Sequence, residues 1–213
     1  MSAITIPPGG TIVDTFKKSF VDVPVDADTN NAIATAEFLE ATESLTTIFD
    51  VLGSVAFSPV KSDMLGNVKL TVLTLQKIRD RLLAAPAESL DLQSLVRAEI
   101  ASKKHVAAEG LLWLTRGLEF TSIALSKNVA NPSEELADSF RAAYSNTLKP
   151  HHSFIVKPIF SAAMSATPYR KEFYAKLGSD EAKVASDLRT YLAALEKIVA
   201  ILKAFTESKE AKW

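Results

Sequence analysis

Apolar residues recur along this chain at intervals of three and four, the spacing of one face of an α-helix. Between Ala32 and Val51 the apolar set is Phe38, Leu45, Ile48 and Phe49, continued by Leu52. The capping cluster Asp28-Thr29-Asn30-Asn31 precedes it, and Gly53, suited to ending a helix, follows. Ser58-Pro59 supplies a cap and a first-position proline for a helix running to about Ala84, stopped by Pro86. Ser89 to about Lys103 is amphipathic through Leu92, Leu95, Val96 and Ile100. A helix from Ser133 to about Leu148 opens on Glu134 and Glu135. Another, from His152 to about Ala166, contains Pro158, where a kink is expected. A short helix follows Pro168 and ends near Gly178, and a long one from Asp180 to Glu207 carries Leu188, Leu192, Leu195, Val199 and Leu202 as one stripe. Near the start, Thr11 to Phe20 reads as a short helix ended by Pro24.

The helix from His105 to about Val129 is the most apolar. Leu111, Leu114, Leu118 and Leu125 fall three, seven and fourteen positions along one face, and Trp113, Gly117, Phe120 and Ala124 share the neighbouring face. A helix apolar over most of its circumference is buried on both sides. Two readings stand: a central core helix, or one whose second face lines an apolar cavity. Arg116 lies close to Trp113 on this helix, and a guanidinium drawn into the fold needs an acidic partner. The pattern as a whole predicts about eight helices, no strand, no internal repeat and one domain over residues 1–213, with residues 1–28 as an N-terminal extension.

Composition narrows the chemistry. The 7 Gly and 9 Pro among 213 residues are too few for the many turns of a β-sandwich or barrel. With 24 basic and 25 acidic residues the net charge is −1, so the basic excess of a duplex-binding protein is missing and no nucleic-acid partner is expected. The chain has no Cys, which excludes disulfides, thiol nucleophiles, iron–sulfur clusters and cysteine zinc sites; three His make a histidine-rich metal site unexpected as well. The opening MSAITIPPGG lacks the basic-then-apolar pattern of a secretory signal, Ser2 excludes myristoylation, SKEAKW is not a prenylation box, and no uncharged apolar run is long enough to span a membrane. A cytoplasmic chain that meets membranes only at their surface is the expectation.

Catalytic patterns are missing. There is no Gly-rich phosphate loop, no HExxH and no GxSxG. Asp63 and His152 make a conceivable acid–base couple, but nothing supplies a nucleophile or an oxyanion hole, so an enzyme is disfavoured. Asp63 and Asn67, four apart, project from one helix face, and such a pair alone is ordinarily solvated. His151-His152 stands at a break after Pro150, where a structural role is the ordinary reading.

Three segments taken together carry a resemblance: FDVLGSVAFSPVKSDMLGN, EGLLWLTRGLEF and KPHHSFIVKPIFSAAMSATPYRKEFYAKL. In this order and at these distances they resemble the glycolipid transfer protein family, from about residue 30 to the end, and the remainder is similar to a fungal member of it. The shared elements are Asp63-x-x-x-Asn67, Trp113-x-x-Arg116-Gly117 and His152. The resemblance implies an all-α fold, a two-layer helical sandwich of about eight helices holding one glycosphingolipid. The sugar lies in a surface site and the ceramide in an apolar pocket. It implies transfer between membranes with no cofactor, a transient membrane contact and a monomer.

Carried over, Asp63 accepts hydrogen bonds from the ceramide amide and a sugar hydroxyl, Asn67 bonds the sugar, Trp113 stacks under the first sugar ring, His152 donates to the ceramide carbonyl, and Arg116 orders the aspartate region. Phe49, Leu52, Phe120, Phe160 and Met164 match positions of the chain pocket. The alternative left open is a glycosphingolipid-sensing interaction protein in fungal heterokaryon incompatibility, without bulk transfer.

Two departures from the family pattern matter. The family's sugar-site lysine stands three residues after the asparagine, where this chain has Leu70; Lys69 comes one earlier. Omitting Leu70–Gln76 brings Lys77 to that distance, as if seven residues had been inserted. Seven residues turn a helix about 700°, so the face is kept while Lys77 moves about 10 Å along the axis. At the membrane, animal members carry a tryptophan two residues after the histidine; here it is Phe154, with Lys157 nearby to meet anionic lipid.

Overall fold

The computed structural model describes residues 5–53 and 74–213. Among these, eight α-helices follow in order: α1 Thr35–Val51, α2 Thr74–Ala84, α3 Leu92–Ala101, α4 Val106–Ala130, α5 Leu136–Asn146, α6 Val156–Ser165, α7 Arg170–Ala175 and α8 Glu181–Glu207. The long apolar helix α4 is the hub, packing against α2, α3, α5 and α8. Its leucines at 111, 114, 118 and 125 are all buried, and the α8 stripe from Leu188 to Leu202 is buried with them. Each such leucine stabilises the fold by about 1.5–3 kcal/mol through removal from water.

Local chemistry sets the helix ends. Asp91 and Asp180 cap α3 and α8, accepting from Ser94 N at 2.7 Å and Lys183 N at 3.0 Å. Gly53, directly after the last residue of the α1 cap, has φ +112°, a conformation that favours glycine. The start of α4 has no side-chain cap of its own. Instead the buried carboxylate of Glu99, reaching from α3, accepts from Ala107 N at 3.0 Å and Ala108 N at 2.8 Å. Two otherwise unpaired donors of α4 are thereby served, and α4 is fixed to α3.

Several expectations are revised. The segment from Thr11 to Phe20 forms two short 3-10 turns, Ile12–Thr15 and Phe20–Asp22, in place of one helix. Asp14 turns back to accept from Thr11 N at 2.7 Å, which closes the first turn locally. Two two-residue strands, β1 Val25–Asp26 and β2 Ala32–Ile33, pair antiparallel where no strand was expected. The helix expected from His152 begins at Val156, so Pro158 falls in its first turn. The missing N–H there removes no intrahelical bond, and the expected kink has no cause. Within residues 5–28, Ile12, Phe20 and Val23 are buried, with the Phe20 ring 5.7 Å from that of Tyr191 on α8 and 6.3 Å from that of Phe38 on α1.

Candidate functional site

Trp113 stands half-buried on α4, and Arg116, three residues further along the same helix, lies against it. The Arg116 guanidinium lies 4.8 Å from the indole centroid, a cation–π contact. Partial burial holds its pKa below the usual arginine value. The chain between α5 and α6 folds back onto this place. His151 N and His152 N both bond to Leu148 O, at 3.0 and 3.1 Å, and the two rings come against Trp113. His152 stacks on the indole at 6.1 Å and 20°, and His151 meets it edge-on at 6.4 Å and 85°.

From Trp113 a column of rings runs inward. His152 contacts Phe160 of α6 at 4.5 Å, Phe160 stacks on Tyr144 of α5 at 5.4 Å, and Phe120 of α4 meets Tyr144 at 6.3 Å, Phe160 at 6.5 Å and Phe140 at 5.6 Å. Exposure falls from a half-buried indole to fully buried Phe120 and Phe140. Trp113 and Phe120 are two turns apart on one face of α4, which explains why that helix is apolar on its second side.

The electrostatics of His152 follow from this burial. Loss of water, then the positive surroundings of His151, Lys157 and Arg116, push its pKa from 6.5 to about 4. The ring is therefore neutral at pH 7. Its Nδ1 lies 3.1 Å from the Tyr144 hydroxyl. Burial raises the Tyr144 pKa, so that group keeps its proton; in the tautomer in which it donates to Nδ1, the imidazole proton resides on Nε2. His151 is also held below its usual value by burial and by Arg116.

Lys77, on α2, reaches the same face of α4. Its Nζ lies 3.1 Å from Glu109 Oε2, and Glu109 is four residues before Trp113, one helical turn away. Phe49, Leu52, Phe120, Phe160 and Met164 are all buried within one apolar core. Asp63 and Asn67, together with Lys69 and Leu70, lie outside the described residues.

At the edge, Phe154 is 82% exposed, with Ile155 at 60% and Ile159 at 43% beside it. Phe154, Lys157 and Pro158 line a surface groove of about 480 Å³ that also reaches Tyr144 and Met164. An exposed apolar cluster with a lysine in it suits an interface between water and lipid.

A sequence model described as Glycolipid transfer protein (GLTP) matches residues 33–179. The chain belongs to this family. It is 63% identical over 207 residues to a glycolipid transfer protein of Aureobasidium melanogenum, an alignment covering 97% of this chain and 98% of that one. Its structure is similar to that of HET-C2, a fungal glycolipid transfer protein, with TM-score 0.90, 69% identity and coverage of 95% of this chain and 100% of that one. It is also similar to the structure of FAPP2, a protein reported to select simple glycosphingolipids with this fold, at TM-score 0.82, 30% identity and coverage of 95% and 98%. The all-α two-layer fold expected from the sequence is the glycolipid transfer protein fold.

Within that fold, two neighbours of the site, Tyr144 and Glu109, carry no signal in the sequence. Tyr144 touches His152 only because the chain reverses at Pro150, and nothing in the spacing announces the contact. Glu109 meets Lys77 across two helices. Ile155 and Ile159 were legible as apolar residues flanking Phe154, and their joint exposure required the helix to start at Val156.

Proposed function

We propose that this chain binds one glycosphingolipid and carries it between membranes as a monomer working from the cytoplasm. The observation that supports this most directly is the ring column from Trp113 to Phe120 and Phe140. A sugar has a C–H face that stacks on an aromatic plate, and a ceramide needs an apolar interior; one continuous path joins the two here. Trp113 takes the first sugar ring. His152 Nε2–H donates to the ceramide carbonyl, an interaction that a neutral ring serves and that offsets a few kcal/mol of unpaired-amide cost. Asp63 and Asn67 receive the amide and sugar hydroxyls, with Arg116 and Lys77 holding the polar rim. The chains enter among Phe49, Leu52, Phe120, Phe160 and Met164, gaining about 0.8 kcal/mol per buried CH₂.

The reading needs no cofactor and makes no covalent change to the lipid; the chain is a carrier, not a catalyst. No described helix is long and apolar enough to cross a membrane. The contact with the bilayer is therefore assigned to the exposed cluster of Phe154, Ile155 and Ile159, with Lys157 facing lipid phosphates. Transfer of a fluorescent glycosylceramide between vesicles tests the proposal. The parent protein should accelerate it, and Trp113→Ala should abolish it while retaining helicity by circular dichroism. Undiminished transfer by Trp113→Ala would remove the stacking role, and loss of helicity would make Trp113 a structural residue instead.

A further inference from the structure

Glu109 is a carboxylate that the family resemblance does not place in the headgroup site. It lies one turn before Trp113 on the same face of α4, its side chain is 47% exposed, and its Oε2 is 3.1 Å from the Nζ of Lys77, whose own side chain is only 11% exposed. The other described cations around the indole are Arg116 over its ring and Lys157 near His152. We infer that Glu109 is a specificity-determining residue: it neutralises Lys77 and makes the headgroup face select uncharged sugars over sulfated ones. The inference rests on the glycosphingolipid reading above.

The physical reason is local charge. A sugar stacked on Trp113 brings its hydroxyl rim within about one helical turn of the Glu109 carboxylate. An uncharged rim finds acceptor oxygens there and a lysine already held in place. A sulfate finds a carboxylate at close range and a lysine whose charge is spoken for. Like charges at such distances in a half-exposed site repel enough to change relative binding about three- to tenfold at low salt. Salt shortens the range of that repulsion to a few ångströms near 1 M, so the discrimination is ionic-strength dependent. A merely structural role for the Lys77–Glu109 pair carries no such dependence on the lipid's charge.

The experiment measures transfer between phosphatidylcholine vesicles of fluorescent galactosylceramide and of its 3-sulfated form, in low and high salt. The readout is the ratio of sulfated to neutral transfer. Glu109→Gln should raise that ratio about three- to tenfold at low salt, with the gain shrinking in high salt. Glu109→Asp should keep the parent ratio. Because the uncovered lysine supplies part of the gain and the lost carboxylate repulsion the rest, Lys77→Gln combined with Glu109→Gln should reverse part of it. A ratio unmoved by Glu109→Gln, or a gain indifferent to Lys77, overturns the inference while neutral transfer by the parent upholds the broader reading. A parent protein that moves neither lipid overturns that reading, and this inference with it.

Discussion

Lowering the pH from about 7 should destabilise the protein through His152 before it does so through the carboxylates. In the unfolded chain the ring titrates near 6.5; in the fold, burial against Trp113 and Phe160 brings this to about 4. Between those values the unfolded chain binds a proton that the native ring refuses. Unfolding is therefore favoured increasingly as pH falls through 6.5, and the loss is complete near the folded value. The interval corresponds to at most roughly 3 kcal/mol. Relaxation and water reaching the partly open ring reduce this to roughly 1.5 kcal/mol, a drop of about 3–6 °C in melting temperature for a chain of this size. Carboxylates held below their usual range, including Glu134 beside Lys127 and Asp187 beside Lys183, contribute only at lower pH, when they are forced to protonate. His151 shifts in the same direction, so one pH curve does not isolate His152. His152→Phe does: it keeps an aromatic ring against Phe160 and removes the titration, at the cost of an unpaired Tyr144 hydroxyl at every pH. Denaturant unfolding of both forms, followed by circular dichroism from about pH 7.5 to about pH 4.5, should show the parent losing roughly 1.5 kcal/mol more than the variant. Parallel curves would mean that the ring is solvated in the fold and that its neutrality at the site needs another cause.

Two further outcomes follow from particular contacts. Glu99→Ala should cost roughly 2–4 kcal/mol in denaturant unfolding, because the Ala107 and Ala108 N–H groups lose a charged acceptor at a buried helix start, and Glu99→Gln should recover part of it; a loss under about 0.5 kcal/mol would show that solvent reaches those donors. Phe154→Ser should weaken vesicle binding, and Phe154→Trp should strengthen it, measured by sedimentation with vesicles; equal binding by all three forms would move the membrane contact away from this edge.

The parts of the fold that were legible from sequence are those where one element dictates its own pattern. The α8 stripe and the two apolar faces of α4 are set by the repeat of leucines and by Trp113, Phe120 and Ala124, and each lies where its period put it. Boundaries were less legible because they depend on partners. The Glu99 carboxylate that starts α4 comes from another helix, and the turn that Asp14 opens by accepting from Thr11 N ends at Phe16, whose backbone is extended. Pro158 was misread for a related reason: a proline breaks a helix only if turns precede it, and the histidine turn occupies the residues that would have supplied them. At the site, Trp113, Arg116 and His152 carry motif spacing and converge. Tyr144 and Glu109 carry none, since their contacts are made across a chain reversal and between helices.

Lys77 is located both by its distance along the chain and by its partner on α4. Counted along the chain from Asn67, it stands seven residues beyond the family's lysine, and a rigid helix would carry it about 10 Å past the headgroup. In the structure its place is fixed by α2 packing on α4: Leu75 and Ile78 are buried, and the amine between them is held by Glu109 one turn from Trp113. Seven residues of helix fall about 20° short of two full turns, so an insertion of that length within a helix would nearly keep its face. What fixes the position of the Lys77 amine is then the carboxylate that receives it. That carboxylate belongs to α4, the same helix that carries the indole, so Lys77 and Trp113 are both referenced to one rigid element.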